Sequence, residues 1–145
     1  MAEQYFSAEP ASKDVRRTLN VTLRGHEATA QVSNGVFSGS RLDLGTSVLL
    51  REVPEPPETG TLLDLGCGWG PVSLALAFAS PKADVWAVDV NERALDLTRA
   101  NAKSNGCDIF FAPVSTEAAA LIIDQAATHD LGMPILAGGT HFIGA

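Results

Sequence analysis

Polar and apolar residues alternate from Arg17 to Arg24, break at Gly25-His26, and alternate again from Glu27 to Val32. A period of two on either side of a glycine turn predicts a β-hairpin. Ser33-Asn34-Gly35 is a second turn signal. Thr46 then reads as the N-cap of a short helix to about Val53, which Pro54-Glu55-Pro56-Pro57 ends. From Thr61 the pattern changes. Short apolar runs alternate with stretches of helical spacing: strand 61–65, helix 71–80, strand 85–89, helix 92–104, strand 109–113, helix 116–129 and strand 134–138. Pro71 suits a first helical turn, Asn91 caps the next helix, Gly106 follows its end, and Ser115 or Thr116 caps the last. Strands alternating with helices of this length predict an α/β fold with a mostly parallel sheet covered on both faces.

One loop in this pattern carries chemistry. Asp64-Leu65-Gly66-Cys67-Gly68-Trp69-Gly70 joins strand 61–65 to the helix that follows. Glycines let a backbone approach a ligand closely, and a helix start turns free N–H groups and a positive end toward it. Asp89 closes the next apolar run, about 20 residues later, where an acid in such folds reaches ribose hydroxyls. The spelling differs from a dinucleotide fingerprint, because all three glycines alternate and an acid stands two residues before the first. An Asp at that place repels a pyrophosphate and accepts a hydrogen bond from an ammonium group. A plainer reading stands beside this one: the glycines make a tight turn, Asp89 helps cap a helix, and Cys67 and Trp69 pack.

Composition narrows the class. With 145 residues and 46 % hydrophobic content the chain supports one core and one domain. No apolar run approaches a membrane span, and the polar N-terminus lacks the apolar stretch of a signal peptide. Two cysteines without ligand-like spacing read as reduced thiols, with no metal site, and the expected location is cytoplasmic. The net charge of −7 argues against RNA as a partner, since nucleic-acid binders usually present a basic face. Only Lys13, Arg16, Arg17 and Arg24 cluster, read as solvated surface positions, with a small RNA-facing patch as the alternative. All ten Lys and Arg residues lie at or before Lys103, and a tail with four acids and no base follows.

The loop, its flanking strand and helix, and the spaced acid together resemble motif I of the class I S-adenosylmethionine-dependent methyltransferases. The resemblance implies that Gly66, Gly68 and Gly70 line the cofactor loop, with Cys67 and Trp69 between them. It puts Asp64 near the amino-acid moiety of S-adenosylmethionine, and Asp89, with Val90 beside it, at the ribose. Upstream, Tyr5-Phe6-Ser7, Gly35–Ser38, Arg41–Thr46 and Leu49-Leu50 are similar to the small-domain methyltransferases that modify guanine amino groups in ribosomal RNA. That likeness runs from Tyr5 to Cys107. Beyond it the family supplies an Asn-Pro-Pro motif that aligns the target amine, and no Asn in this chain precedes a Pro.

Residues 108–139 are similar instead to a strand–helix–strand piece of type I periplasmic binding proteins, the relatives of branched-chain amino-acid receptors. The two resemblances together imply a chimera joined near Cys107. Its parts are an N-terminal hairpin and helix (1–60), a methyltransferase-like β-α-β-α unit (61–107) and a receptor-like β-α-β unit (108–145), in one Rossmann-like three-layer domain. The receptor lobe sets strand 109–113 beside strand 61–65, and its apolar character asks for burial on both sides. The expected core order is therefore 2-1-3-4.

Three functions follow from this reading. The first is an engineered hybrid that keeps the glycine-loop half of an S-adenosylmethionine site, with weak binding, no catalytic residue and no finished methyl transfer. The second is a working RNA (guanine-N2) methyltransferase. The third is a small-molecule binding module at Ser115, Thr116 and Gly138-Gly139. The sheet edge left by the missing strands offers a route to a homodimer.

Overall fold

The computed structural model describes residues 12–36, 42–128 and 136–137. Tyr5-Phe6-Ser7, Phe37 to Arg41, His129, Pro134-Ile135, Gly138-Gly139 and His141 lie outside the described residues. The alternating runs form strands β1 (Arg16–Leu23) and β2 (His26–Ser33), paired antiparallel from Arg16↔Ser33 to Leu23↔His26. The turn between them has φ of 49° at Arg24 and 86° at Gly25. Two successive left-handed residues match the right-handed twist of the flanking strands. One face of this hairpin, with Leu23, Ala28, Ala30 and Val32, is buried. Helix α1 (Leu44–Glu52) starts earlier than the sequence pattern suggests. Its cap is Asp43, whose Oδ2 accepts from Thr46 N at 3.1 Å, while Thr46 itself is buried in the first turn.

The core alternates as expected: β3 (Thr61–Leu65), α2 (Pro71–Ala79), β4 (Asp84–Asp89), α3 (Glu92–Ser104), β5 (Ile109–Pro113), α4 (Thr116–Thr128) and β6 (Leu136–Ala137). Asn91 caps α3, with its side chain accepting from Ala94 N at 3.1 Å. Ser115 Oγ accepts from Ala118 N at the start of α4. All four strands run parallel in the order β5-β4-β3-β6. The result is a Rossmann-like α/β fold preceded by an antiparallel hairpin.

That order is 3-2-1-4 in core strands, and it corrects the expected 2-1-3-4. Strand β5 pairs with β4, from Val85↔Ile109 to Asp89↔Pro113, and not with β3. Two physical reasons account for this. Successive right-handed crossovers in one direction put α2 and α3 on the same face of the sheet, and α3 there reaches both the glycine loop and the hairpin. The other order would carry α3 to the opposite face and strip its buried polar residues of partners. Nor does β5 need two neighbours: Ile109 is buried, while Phe110 is 46 % exposed at this edge and stacks on Trp86 with ring centroids 5.0 Å apart.

The register sorts side chains onto two faces. Leu62, Val85 and Ile109 stand level across the sheet, as do Asp64, Ala87 and Phe111, and both rows face α2 and α3. Leu63, Trp86 and Phe110 form the row between them, on the other face. The covered face packs Leu62, Val85, Ala87 and Ile109 against Val72, Ala75, Leu95 and Ala102. A second cluster, Ala30, Val32, Val36, Trp69, Ala94 and Leu97, joins the hairpin to α3 and the loop.

Candidate functional site

The carboxyl ends of β3, β4 and β5 meet at one edge of the sheet, where open α/β folds bind ligands. The glycine loop leaves β3 there and is tied to the end of β4. Gly66 N and Cys67 N both donate to Val88 O, at 2.7 and 3.1 Å. Gly68 N donates to Asp89 Oδ2 at 3.0 Å, and Gly70 N to Cys67 O at 2.9 Å. Gly66, Gly68 and Gly70 have φ of 79°, 58° and 103°, so the alternating glycines occupy backbone states that other residues avoid. Gly70 has a second constraint, since a Cβ there would lie 2.9 Å from Thr98 Cγ2. Asp89 and the loop, 21 residues apart between Gly68 and Asp89, are thus one assembly.

The two acids differ in their surroundings. Asp64 is fully buried on the covered face, with Oδ2 accepting from Ser73 Oγ at 2.6 Å and Oδ1 without a hydrogen-bond partner among the described residues. Burial pushes its pKa up to about 7, against the pull of the Ser73 hydrogen bond and with a further push from the nearby Asp89 charge. Asp89 is 8 % exposed, and its Oδ1 accepts from Asn91 N at 2.9 Å while Oδ2 holds Gly68 N. Burial raises its pKa as well, and the N–H groups of Asn91, Gly68 and Val90 oppose that rise. Each of its oxygens still has a lone pair to offer a hydroxyl. Val90 follows at the strand end, half-buried.

Cys67 and Trp69 point inward. Both are 2 % exposed; Cys67 joins the sheet cluster and Trp69 the hairpin cluster, so only their backbone groups face the loop's surroundings. Burial, then the charges of Asp89 and Asp64, holds the Cys67 thiol well above its ordinary pKa, which keeps it neutral and unreactive. Cys107 is a partly buried free thiol. Among the described residues no group of three or more His, Cys, Asp or Glu is placed to hold a metal ion, and no helix is long and apolar enough to cross a membrane.

Three residues that the sequence pattern did not single out complete the assembly. Ser73 on α2 partners Asp64. Thr98 and Asn101 on α3 are both 0 % exposed and grip two successive loop carbonyls. Thr98 Oγ1 donates to Gly68 O at 2.9 Å, and Asn101 Nδ2 to Trp69 O at 2.7 Å. Their signal in the sequence is spacing: they continue the buried stripe of Ala94 and Leu97 at i+3 and i+4, where an apolar residue would be expected.

Residues 27–125 match the methyltransferase small domain family. The chain belongs to that family. The match passes Cys107 and takes in β5 and most of α4, so it lends no support to a junction there or to a receptor-like origin for those elements. Among curated relatives, an uncharacterized Bacillus subtilis protein, YbxB, is 39 % identical over 73 % of this chain and 53 % of its own length. The Cronobacter sakazakii ribosomal RNA large subunit methyltransferase G is 38 % identical over 69 % of this chain and 26 % of its own. The chain therefore spans about half of the one relative and about a quarter of the other. In structure it is similar to a T. thermophilus 16S rRNA N2 methyltransferase solved with AdoMet and guanosine. That likeness has a TM-score of 0.59 and 26 % identity, and covers 70 % of this chain and 28 % of the other. A Pyrococcus abyssi tRNA methyltransferase, at 20 % identity and a TM-score of 0.51 over 75 % of this chain and 29 % of that one, shares the fold.

Proposed function

We propose that this chain is the cofactor-binding half of an S-adenosylmethionine-dependent RNA methyltransferase. Asp64, Gly66, Gly68, Gly70, Asp89 and Val90, with the backbone of Cys67 and Trp69, surround the cofactor in this reading. The observation that carries it is the electrostatic character of the loop. Its amides at Gly66, Cys67, Gly68 and Gly70 already bond to protein oxygens, and two buried carboxyl groups flank it. A phosphate would find few donors and unfavourable charge. A cation suits the place, and Asp64 Oδ1, buried and unpartnered, is an acceptor in want of a donor. S-adenosylmethionine brings an ammonium and a sulfonium, and when bound it supplies the methyl group. Asp89 adds acceptors for ribose hydroxyls, and the backbone of Gly66 and Gly68, half exposed, forms the floor.

Transfer itself needs a group that aligns the target amine, and no Asn-Pro pair occurs in the sequence. No residue here is assigned that role. The substrate class proposed for the whole protein is RNA, in line with the ribosomal RNA methyltransferases among its relatives. The net charge of −7 does not stand against that proposal, because relatives of this domain act on RNA.

Calorimetry with S-adenosylhomocysteine tests the cofactor reading. Binding held by the loop and Asp89 alone would forgo ~3 kcal/mol of adenine burial and hydrogen bonding, enough to weaken it over a hundredfold, so a Kd of about 100 μM or weaker is expected. Asp89→Ala should abolish it. Low-micromolar affinity, with methyl transfer from labelled cofactor to ribosomal RNA that Asp89→Ala removes, would instead establish a working enzyme.

A further inference from the structure

Among the described residues no strand lies beside the outer edge of β2, yet the backbone groups of Thr29 and Gln31 there are paired. Asn101 Oδ1 accepts from Gln31 N at 2.7 Å, and its Nδ2 donates to Gln31 O at 3.0 Å. Asn105 repeats the pattern at Thr29, with Oδ1 accepting from the N–H at 3.4 Å and Nδ2 donating to the carbonyl at 3.0 Å. A carboxamide carries one acceptor and two donors side by side, so it can pair with a residue's N–H and C=O as a neighbouring strand would. The spacing fits. Residues four apart on a helix advance about 6 Å, and residues two apart on a strand about 6.6 Å.

Of the two asparagines, Asn101 is the one bonded to the glycine loop. The Nδ2 of Asn101 also donates to Trp69 O at 2.7 Å, within the glycine loop. Its side chain is fully buried, and both of its N–H donors and its carbonyl are engaged. One planar group therefore fixes Gln31 of the hairpin and Trp69 of the loop relative to each other, across 70 and 32 residues of chain.

We propose that Asn101 is a positioning residue that locks the hairpin and the cofactor loop into one unit, so that the loop's ligand-ready shape depends on the hairpin; its consequence for affinity rests on the cofactor reading above. Asn105 is the internal control, since its side chain bonds to the hairpin at Thr29 and to the end of α3 at Asn101 O and Ser104 Oγ, and has no bond to the glycine loop among the described residues. Asn101→Asp keeps the shape and replaces two donors with acceptors opposite two carbonyls. Asn105→Asp makes the same change at the neighbouring clamp.

Amide hydrogen exchange and S-adenosylhomocysteine calorimetry read the outcome. In the unaltered protein, Gly70 N–H and Gln31 N–H should open together, with protection factors within about threefold of each other. In Asn101→Asp, Gly68 and Gly70 should exchange at least tenfold faster relative to the β4 amides, and affinity should fall at least tenfold. In Asn105→Asp, faster exchange should be confined to the hairpin around Thr29, with affinity within twofold of the unaltered protein. Protection of Gly70 and Gln31 differing more than tenfold in the unaltered protein overturns the proposal even if Asn101→Asp does not fold. Unchanged loop exchange in a folded Asn101→Asp overturns it as well. Absence of binding by the unaltered protein would sink the cofactor reading instead, and the exchange results still decide the coupling.

Discussion

The two faces of the parallel sheet are built from adjacent residues and differ most at the start of β4. Val85 is 0 % exposed under α2 and α3, and its neighbour Trp86 is 37 % exposed on the other side. The covered face holds the buried Asp64, the loop contacts and the polar stripe of α3. The other face carries an aromatic pair at its edge, Trp86 and Phe110, that shields itself by stacking, while Leu65 and Val88 further along the same face are buried. Burial on one face concentrates the unusual chemistry there. A carboxyl group can be kept without a full set of partners only where the surrounding packing holds it, at a cost in stability.

The sharpest break of that contrast is Gly70→Ala. The new Cβ would clash with Thr98 at 2.9 Å, in a backbone state of φ 103°. A loss of about 3 kcal/mol or more is expected from chemical denaturation, together with loss of S-adenosylhomocysteine binding. Next comes the pair Val85→Ala and Trp86→Ala. The first opens a cavity in the covered cluster and should cost about 2 kcal/mol, whereas the second should cost about 1 kcal/mol or less despite deleting a larger side chain. Equal costs would mean that Trp86 and Phe110 are covered in solution.

Asp64 gives a pH test of the same contrast. Its native pKa of about 7 lies above the usual unfolded value of about 3.9, so between these pH values the native state holds the proton that the unfolded chain releases. Stability contributed by the protonated form is complete below the unfolded pKa and is lost as pH rises through 7. Stability should therefore fall from pH 5 to pH 8, by an effect of up to roughly 3 kcal/mol. Asp64→Asn should flatten most of that slope and raise stability at pH 8 while weakening the ligand. Asp89, shifted in the same direction, leaves a residual slope. A melt independent of pH in the unaltered protein would show Asp64 to be ionised and satisfied. The smallest expected effect is at the outer contacts of the hairpin turn. There Arg24 donates to Leu50 O and Val53 O at 2.9 and 2.7 Å and pairs with the exposed Glu55. Glu55→Ala should cost less than about 0.5 kcal/mol, because that ion pair faces solvent and the carbonyl contacts remain.

The hairpin, the strands, the helices and the glycine loop were legible in the sequence because each obeys a local rule. Alternation marks β1 and β2, glycines stand where φ is positive at Gly25, Gly66, Gly68 and Gly70, and Asn91 sits where α3 needs a cap. Local rules also located Asp64 and Asp89 near the loop, since both end or nearly end their strands. They could not rank the neighbours of β5, because an apolar strand reads alike at an edge and at a centre, and the expected 2-1-3-4 order failed on that point. Nor could they show that Ser73 partners Asp64, that Trp69 turns inward, or that Asn101 joins Gln31 to Trp69. Those pairings span up to 70 residues, and their energy comes from burial that exists only once α2, α3 and the hairpin share a face. Sequence spacing sets which backbone shapes are open to the chain; the packing of one helix face decides which polar groups meet.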